Sequence, residues 1–166
     1  LDDEQKRKTV MELLAGACKE RIYPVGRLDR NTTGLLLFTN DGELTKKLTH
    51  PRYGIKKLYA VELDKPLSHQ HLAQIKEGLE LEDGRIEVDE VDFATGDRNH
   101  KEVGIQLHSG RNRIVRRIFE HLGYNVRKLD RVMFGPLTKK DLPRGRWRHL
   151  TQAEIGMLKM IKSAKE

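Results

Sequence analysis

Ile86-Glu87-Val88-Asp89-Glu90-Val91-Asp92-Phe93 and Glu102-Val103-Gly104-Ile105-Gln106-Leu107-His108 read as two strands in succession, with no helical pattern between them. A doubly wound parallel sheet alternates strand with helix, so strands that arrive in pairs favour α+β with a mainly antiparallel sheet flanked by helices. Upstream, Ile55 to Leu63 reads as a strand with Tyr59, Val61 and Leu63 in alternation. Pro66 and Ser68 then open a helix to about Gly78, with Leu72, Ile75 and Leu79 on its inner face, and Asp83-Gly84 makes a turn. Downstream, Gly110 precedes a helix that carries Ile114, Val115, Ile118, Phe119 and Leu122 on one side and ends at Gly123. Val126 to Phe134 is a further strand, Gly135-Pro136 a break, and Gln152 to Lys162 a final helix.

The amino-terminal part reads as a helix from Glu4 to Ala15, striped by Val10, Leu13 and Leu14, and a short strand from Arg21 to Val25 closed by Gly26. Leu35-Leu36-Leu37-Phe38 is an apolar run short enough for a buried strand. Asn40-Asp41-Gly42 is turn chemistry, with Asp41 as cap of a helix from about Glu43 to Thr49 that Pro51 ends. The first residue is Leu1 rather than Met, which we read as the mark of an excised domain. One domain over residues 1–166 is expected from the length.

The chain carries 32 Lys+Arg against 25 Asp+Glu, a formal charge of +7. That excess is confined to one window. From Arg111 to Arg148 there are 12 Lys/Arg against Glu120, Asp130 and Asp141, so the window carries +9 and the remainder −2. Nine of the 12 are Arg, the side chain suited to planar, two-pronged contact with phosphate. Clustered arginine on an otherwise mildly acidic chain is the footprint of a polyanion, with nucleic acid foremost.

Other chemistries lose support. The single cysteine, Cys18, allows no internal disulfide and no multi-cysteine metal site, and the i, i+2 spacing of His69 and His71 points them apart on a helix. No metal is expected. Neither a G-x-x-x-x-G-K-[ST] loop nor a G-x-G-x-x-G turn occurs, so no nucleotide cofactor is expected. There is no membrane-length apolar run and no signal-peptide pattern, and a cytoplasmic monomer is the expected setting.

Two segments carry the chemistry. Gly26-Arg27-Leu28-Asp29-Arg30-Asn31-Thr32-Thr33-Gly34 is a polar loop braced by apolar strands on both sides, the kind of place where reactive groups are displayed. Asp29 lies between Arg27 and Arg30, cations that suit a carboxylate with nucleophilic work to do. By pattern alone, a turn or a cap is the commoner use of such residues. The second segment, Gly110-Arg111-Asn112-Arg113-Ile114-Val115-Arg116-Arg117-Ile118-Phe119, begins a helix on which Arg116 falls beside the buried edge. It could hold its guanidinium against a carboxylate in a cleft, or simply snorkel from a basic amphipathic helix.

At these segments the sequence resembles the RsuA/RluB-type pseudouridine synthases. Gly26 through Gly42 matches their signature G-R-L-D-x-x-T-x-G-L-L-L-x-T-N-D-G without a mismatch. Lys57-Leu58-Tyr59 meets a Lys-x-Tyr motif, Gly110 to Arg117 meets G-x-N-R-x-V-R-R, and Gly145-Arg146-Trp147-Arg148 with Leu150-Thr151 is similar to the RluB branch. The resemblance implies a pseudouridine synthase fold and the isomerisation of a uridine in ribosomal RNA, nearest to large-subunit specificity. Small-subunit specificity and a non-catalytic RNA-binding module of the same fold are the alternatives. It implies Asp29 as nucleophile, Tyr59 stacked on the target uracil and Arg116 as the ion-pair partner of Asp29. Val115 would pack against the base and Arg27 would hold the flipped nucleotide, while Arg111, Asn112, Arg113 and Arg117 would contact the RNA. It also implies ribosomal RNA or a ribosome-assembly intermediate as partner, and no metal or organic cofactor. Relatives carry a preceding strand with an Asn-Lys-Pro-like motif and often an S4-type domain, both expected to lie outside this chain.

Overall fold

A computed structural model describes residues 21–94, 96 and 98–162. The expected helix Glu4–Ala15 and Cys18 lie outside the described residues. In chain order the elements are β1 (Tyr23–Pro24), β2 (Thr33–Gly34), β3 (Phe38–Thr39), α1 (Gly42–Thr49), β4 (Lys57–Leu63) and α2 (His69–Glu77). Then come β5 (Leu79–Leu81), β6 (Gly84–Ile86), β7 (Glu90–Phe93), β8 (Glu102–Leu107), α3 (Ile114–His121), β9 (Val126–Phe134), β10 (Leu137–Thr138) and α4 (Gln152–Lys159).

The main sheet runs β10-β9-β4-β8-β7, antiparallel at every step, and β2 joins the outer side of β9 in parallel. The sheet is therefore mixed and mainly antiparallel. Its middle is β4, whose inward residues Val61 and Leu63 meet Val103, Ile105 and Leu107 of β8 and Leu129 of β9 in the larger core. Leu72 and Ile75 of α2 enter that core, as do Ile114, Val115, Ile118 and Phe119 of α3. Phe119 and Ile118 are fully buried, which is the outcome of placing four apolar residues at i, i+1, i+4 and i+5 on one helix face. A smaller core joins Val25, Leu48, Ile55, Phe134, Leu137 and Leu158, and so holds α1 and α4 to the β9–β10 end.

Capping fixes the helices where the sequence places them. Asp41 accepts from the Leu44 amide at 3.1 Å and Ser68 from the His71 amide at 3.1 Å. At α4, Thr151 and Glu154 form a reciprocal capping box, and Arg148 grips both Glu154 carboxylate oxygens at 2.8 and 2.7 Å. The hydrogen bond from Arg148 holds the Glu154 carboxyl at about 2, well below the usual carboxylate range, with the Thr151 amide adding to the effect.

Two elements differ from the sequence reading. Leu35-Leu36-Leu37-Phe38 is not one buried strand: β2 pairs with β9 for two residues only, the half-buried run then leaves the main sheet, and Phe38 alone enters a strand, β3, paired with β1. These side chains line a cavity of about 370 Å³ shared with Leu137, Leu142 and Trp147. The Ile86–Phe93 stretch is two strands in different sheets. Gly84–Ile86 folds back on β5 as a hairpin, while Glu90–Phe93 forms the edge of the main sheet.

Gly34 accounts for the parting of β2 from a normal strand. Its φ is +116°, and a Cβ there would stand 2.3 Å from the Arg131 carbonyl oxygen. Only glycine allows the two backbones to lie so close. Gly34→Ala is expected to destabilise the protein by about 3 kcal/mol, read from the urea midpoint, whereas Gly42→Ala, where an added Cβ meets nothing, should be neutral or slightly stabilising. The Glu154 carboxyl is also testable. A group with a folded value near 2 and an ordinary value of 4.5 contributes stability above 4.5 that is lost as the pH falls towards 2. Thermal melts of Glu154→Gln should accordingly show a flatter decline between pH 5 and 2 than the wild type.

Candidate active site

The loop Gly26–Gly34 is fixed at both ends. At its start the Val25 amide donates to the Leu37 carbonyl at 2.7 Å, and Val25 itself is core. At its end the Leu35 amide donates to the Arg131 carbonyl at 2.9 Å, while the Arg131 guanidinium donates back to the Leu35 carbonyl through Nε at 2.9 Å and Nη2 at 2.6 Å. Between these ends the Thr32 amide closes a tight turn on the Asp29 carbonyl at 2.9 Å, and the Thr33 hydroxyl donates to Asp130 Oδ1 at 2.8 Å.

Asp29 faces a cleft of about 330 Å³. The cleft walls bring together Arg27, Asp29, Tyr59, Arg111, Asn112, Arg113 and Val115, seven of the nine residues singled out in the sequence. Arg116 and Arg117 do not line it. The larger cavity beside Trp147 contains none of the nine. In the 330 Å³ cleft, Asp29 is the single carboxylate among five cations, namely Arg27, Lys57, Arg111, Arg113 and Arg131.

Tyr59 stands on β4 directly opposite Arg131 of β9, next to a register shift that leaves Val132 without a partner residue. Burial pushes the Tyr59 phenol above its ordinary value. The charge and hydrogen bonding of Arg131 pull it back, and the negative charge of Asp29 adds to the rise, so the three groups lie within electrostatic reach of one another. Lys57, two residues along the same strand, is held below its ordinary value by burial and by Arg131. Val115 and Ile114, both buried, form an apolar patch at the start of α3. Arg113, which caps that helix, sits in the left-handed region at φ +52°, a conformation that turns the chain abruptly from the cleft wall into the helix.

Arg116 is buried beneath the loop rather than paired with Asp29. Its Nη2 donates to the Asn31 carbonyl at 2.6 Å and its Nη1 to the Val126 carbonyl at 3.3 Å. The expected Asp29–Arg116 ion pair is not formed, because the backbone of the loop takes up the guanidinium two residues past the carboxylate. Arg116 Nε and the Thr32 hydroxyl are the buried polar side-chain atoms without a partner among the described residues, and both belong to this loop or its support.

Arg111 and Arg117 are also committed. Both donate to Asp83 Oδ1 at the tip of the β5–β6 hairpin, Arg111 at 3.2 Å. Arg111 reaches the Arg85 carbonyl at 2.9 Å, and Arg117 the Asn112 carbonyl at 3.1 Å. The hydrogen bond from Arg117 holds the Asp83 carboxyl below the usual range. These arginines brace the 110–113 loop against the hairpin, whereas the exposed Arg27 and Arg113 make no ion pair among the described residues.

Arg131 and Asp83 escaped the sequence reading. For Arg131 a signal was present: it shares the inward phase of β9 with Leu129, and a charged residue in that phase is more informative than another apolar one. Nothing in the sequence pairs Asp83 with arginines 28 and 34 positions away. Among the described residues, no group of three or more His, Cys, Asp or Glu could hold a metal, and no helix is long and apolar enough to cross a membrane.

A protein of Aquifex aeolicus described as an uncharacterized RNA pseudouridine synthase is 39% identical over 152 residues, covering 92% of this chain and 61% of that one. Ribosomal large subunit pseudouridine synthase B of Buchnera aphidicola is 39% identical over 157 residues, covering 94% and 64%, and that of Bacillus subtilis is 38% identical over 161 residues, covering 96% and 66%. The chain thus spans somewhat less than two thirds of the length of these relatives. A solved structure of a pseudouridylate synthase superposes with a TM-score of 0.78 at 32% identity, over 90% of this chain and 65% of that one. An archaeal Nop10–Cbf5 complex, at a TM-score of 0.56 and 18% identity over 80% of this chain and 46% of that one, shares the fold alone. The family model for RNA pseudouridylate synthase matches residues 1–121, and with the fold in agreement, the chain belongs to the RNA pseudouridylate synthase family.

Proposed function

We propose that residues 1–166 are the catalytic domain of a ribosomal RNA pseudouridine synthase, acting on a uridine of the large-subunit RNA. The observation that carries this reading is the cleft itself: one carboxylate, one tyrosine and an apolar patch from Val115, enclosed by five cations. Polyanion affinity and a nucleophile meet there in one place. The names of the relatives from Buchnera aphidicola and Bacillus subtilis favour the large subunit over the small one. The partner is ribosomal RNA or a ribosome-assembly intermediate, met by a cytoplasmic monomer.

In this reaction the target base first leaves its stack, at a cost on the order of a few kcal/mol. Phosphate contacts from Arg27 and Arg113 and the ring face of Tyr59 offset that cost. The Asp29 carboxylate attacks the base or the sugar, and the C1′–N1 bond breaks. The uracil turns, a C1′–C5 bond forms as the bond to Asp29 is released, the C5 proton is lost and N1 takes up a proton in its place, so the product is an isomer with no atom gained or lost. Val115 and Ile114 supply an apolar wall that keeps water from the detached base. Arg116 supports the chemistry through the loop, since its hydrogen bond to the Asn31 carbonyl sets the turn that presents Asp29.

Mapping pseudouridine in unmodified large- and small-subunit RNA with a base-selective chemical stop assay tests this reading. A single new site in the large-subunit RNA is expected for the wild type, with none for Asp29→Asn and with fold and most RNA affinity retained by that variant. A folded wild type that binds RNA and makes no product refutes it. Arg116→Met is expected to lose activity while still binding RNA, and full activity would refute its support of the loop.

Salt dependence separates the arginines. Each phosphate neutralised on a single strand contributes about 0.7 to the slope of log K against log salt. Arg113→Ala should lower the slope by about that amount. Arg117→Ala should leave the slope near wild type and lower the melting temperature, because its hydrogen bonds are spent on Asp83 and Asn112.

A further inference from the structure

Arg131 is the most buried charged residue among those described, at 4% exposure, and no carboxylate among the described residues pairs with it. A buried guanidinium is ordinarily matched by an anion. Here its hydrogens go to the Leu35 carbonyl, its face covers the Phe134 ring at 5.1 Å, and it stands opposite Tyr59 across the β4–β9 ladder. Its backbone meanwhile receives the Leu35 amide and abuts Gly34. A single residue thus touches the end of the Asp29 loop and the strand position of Tyr59.

We propose that Arg131 is a positioning residue of the isomerisation: its guanidinium sets the Tyr59 hydroxyl and the Asp29 loop at a fixed separation and orientation. The assignment rests on the pseudouridine synthase reading above. A structural brace alone would be served by any side chain that filled the space under Leu35. Arg131 differs in being charged, two-pronged and lodged in the cleft wall. The charged groups that share the cleft with Tyr59 are Arg131 from β9, Asp29 and Arg27 from the loop, Lys57 from its own strand, and Arg111 and Arg113 from the segment before α3, and of these Arg131 and Asp29 act on its phenol. The burial that raises the Tyr59 phenol is opposed chiefly by Arg131, so removing that charge leaves the hydroxyl a poorer proton donor.

Arg131→Gln keeps an amide for the Leu35 carbonyl and removes the charge, whereas Arg131→Lys keeps the charge and loses the fork. Ionisation of Tyr59 is followed by tyrosinate absorbance in each protein, with the matching Tyr59→Phe variant as blank. Single-turnover pseudouridine formation and RNA affinity are measured on the same preparations. In Arg131→Gln the Tyr59 midpoint is expected to rise by about one pH unit, and the rate to fall about 100-fold with RNA affinity unchanged. In Arg131→Lys the midpoint should return towards wild type while the rate stays depressed. A folded Arg131→Gln protein with an unmoved midpoint overturns the proposal, as does wild-type rate in either variant. Should Arg131→Gln fail to fold, the rate of Arg131→Lys decides. A wild type that makes no pseudouridine overturns the reading beneath the proposal, while normal wild-type activity with an unmoved Tyr59 titration overturns the Arg131 assignment alone.

Discussion

Leu35 gives both of its backbone groups to one residue: its amide donates to the Arg131 carbonyl, and its carbonyl receives two hydrogen bonds from the Arg131 side chain. The approach this demands is possible because Gly34 has no side chain to place between the two backbones. Everything else in the cleft depends on this tie. It fixes the exit of the polar loop, so the turn closed by Thr32 on Asp29 holds its angle to the sheet. It also places the loop beside Tyr59, since Arg131 and Tyr59 are direct neighbours in the ladder. A loop held only by its own turn would be free to swing and would not keep its carboxylate at one place in the cleft.

The charge of the chain is put to two different uses. Part of the arginine-rich window is structural: Arg117 and Arg111 converge on Asp83, Arg148 on Glu154, and Arg116 on the carbonyls beneath the loop. These groups have most of their donors occupied, and they shape the walls of the cleft. Arg27 and Arg113 remain at its rim. The basic window is therefore a poorer guide to phosphate contacts than its net charge suggests, because a guanidinium that satisfies backbone carbonyls is no longer open to a phosphate. Asp83 is the hinge of this division, as one acidic side chain organises two of the most suggestive arginines.

Local signals were legible wherever local chemistry decides. Ser68 and Asp41 begin helices where their side chains cap them, and β9 spans the residues its apolar pattern marks out. The α3 face was legible for the same reason, since five apolar residues in one arc have one sensible burial. The signature loop pointed to Asp29 and the Lys-x-Tyr strand to Tyr59, and both line one cleft. Tertiary decisions were not legible. Leu35 to Leu37 have the composition of a strand, yet Gly34 and Arg131 divert them from the sheet. Ile86 and Val91 read as one strand, but they serve two sheets, and the residues between them cross over. The place of Arg116 depended on where the Asn31 carbonyl would come to rest, a matter settled by contacts 85 positions apart.

The tie between Leu35 and Arg131 spans 96 positions of the chain, and the neighbouring Thr33–Asp130 hydrogen bond spans 97. During synthesis the Asp29 loop leaves the ribosome long before the strand that holds it. Local elements such as α1 and the β5–β6 hairpin can form early, but the cleft cannot exist until β9 has emerged and inserted beside β4. The nascent chain therefore lacks the cleft through most of its elongation, with the Asp29 carboxylate on an unanchored segment. A chain cut short before Arg131 would keep its signature loop intact and have no means of holding it in place.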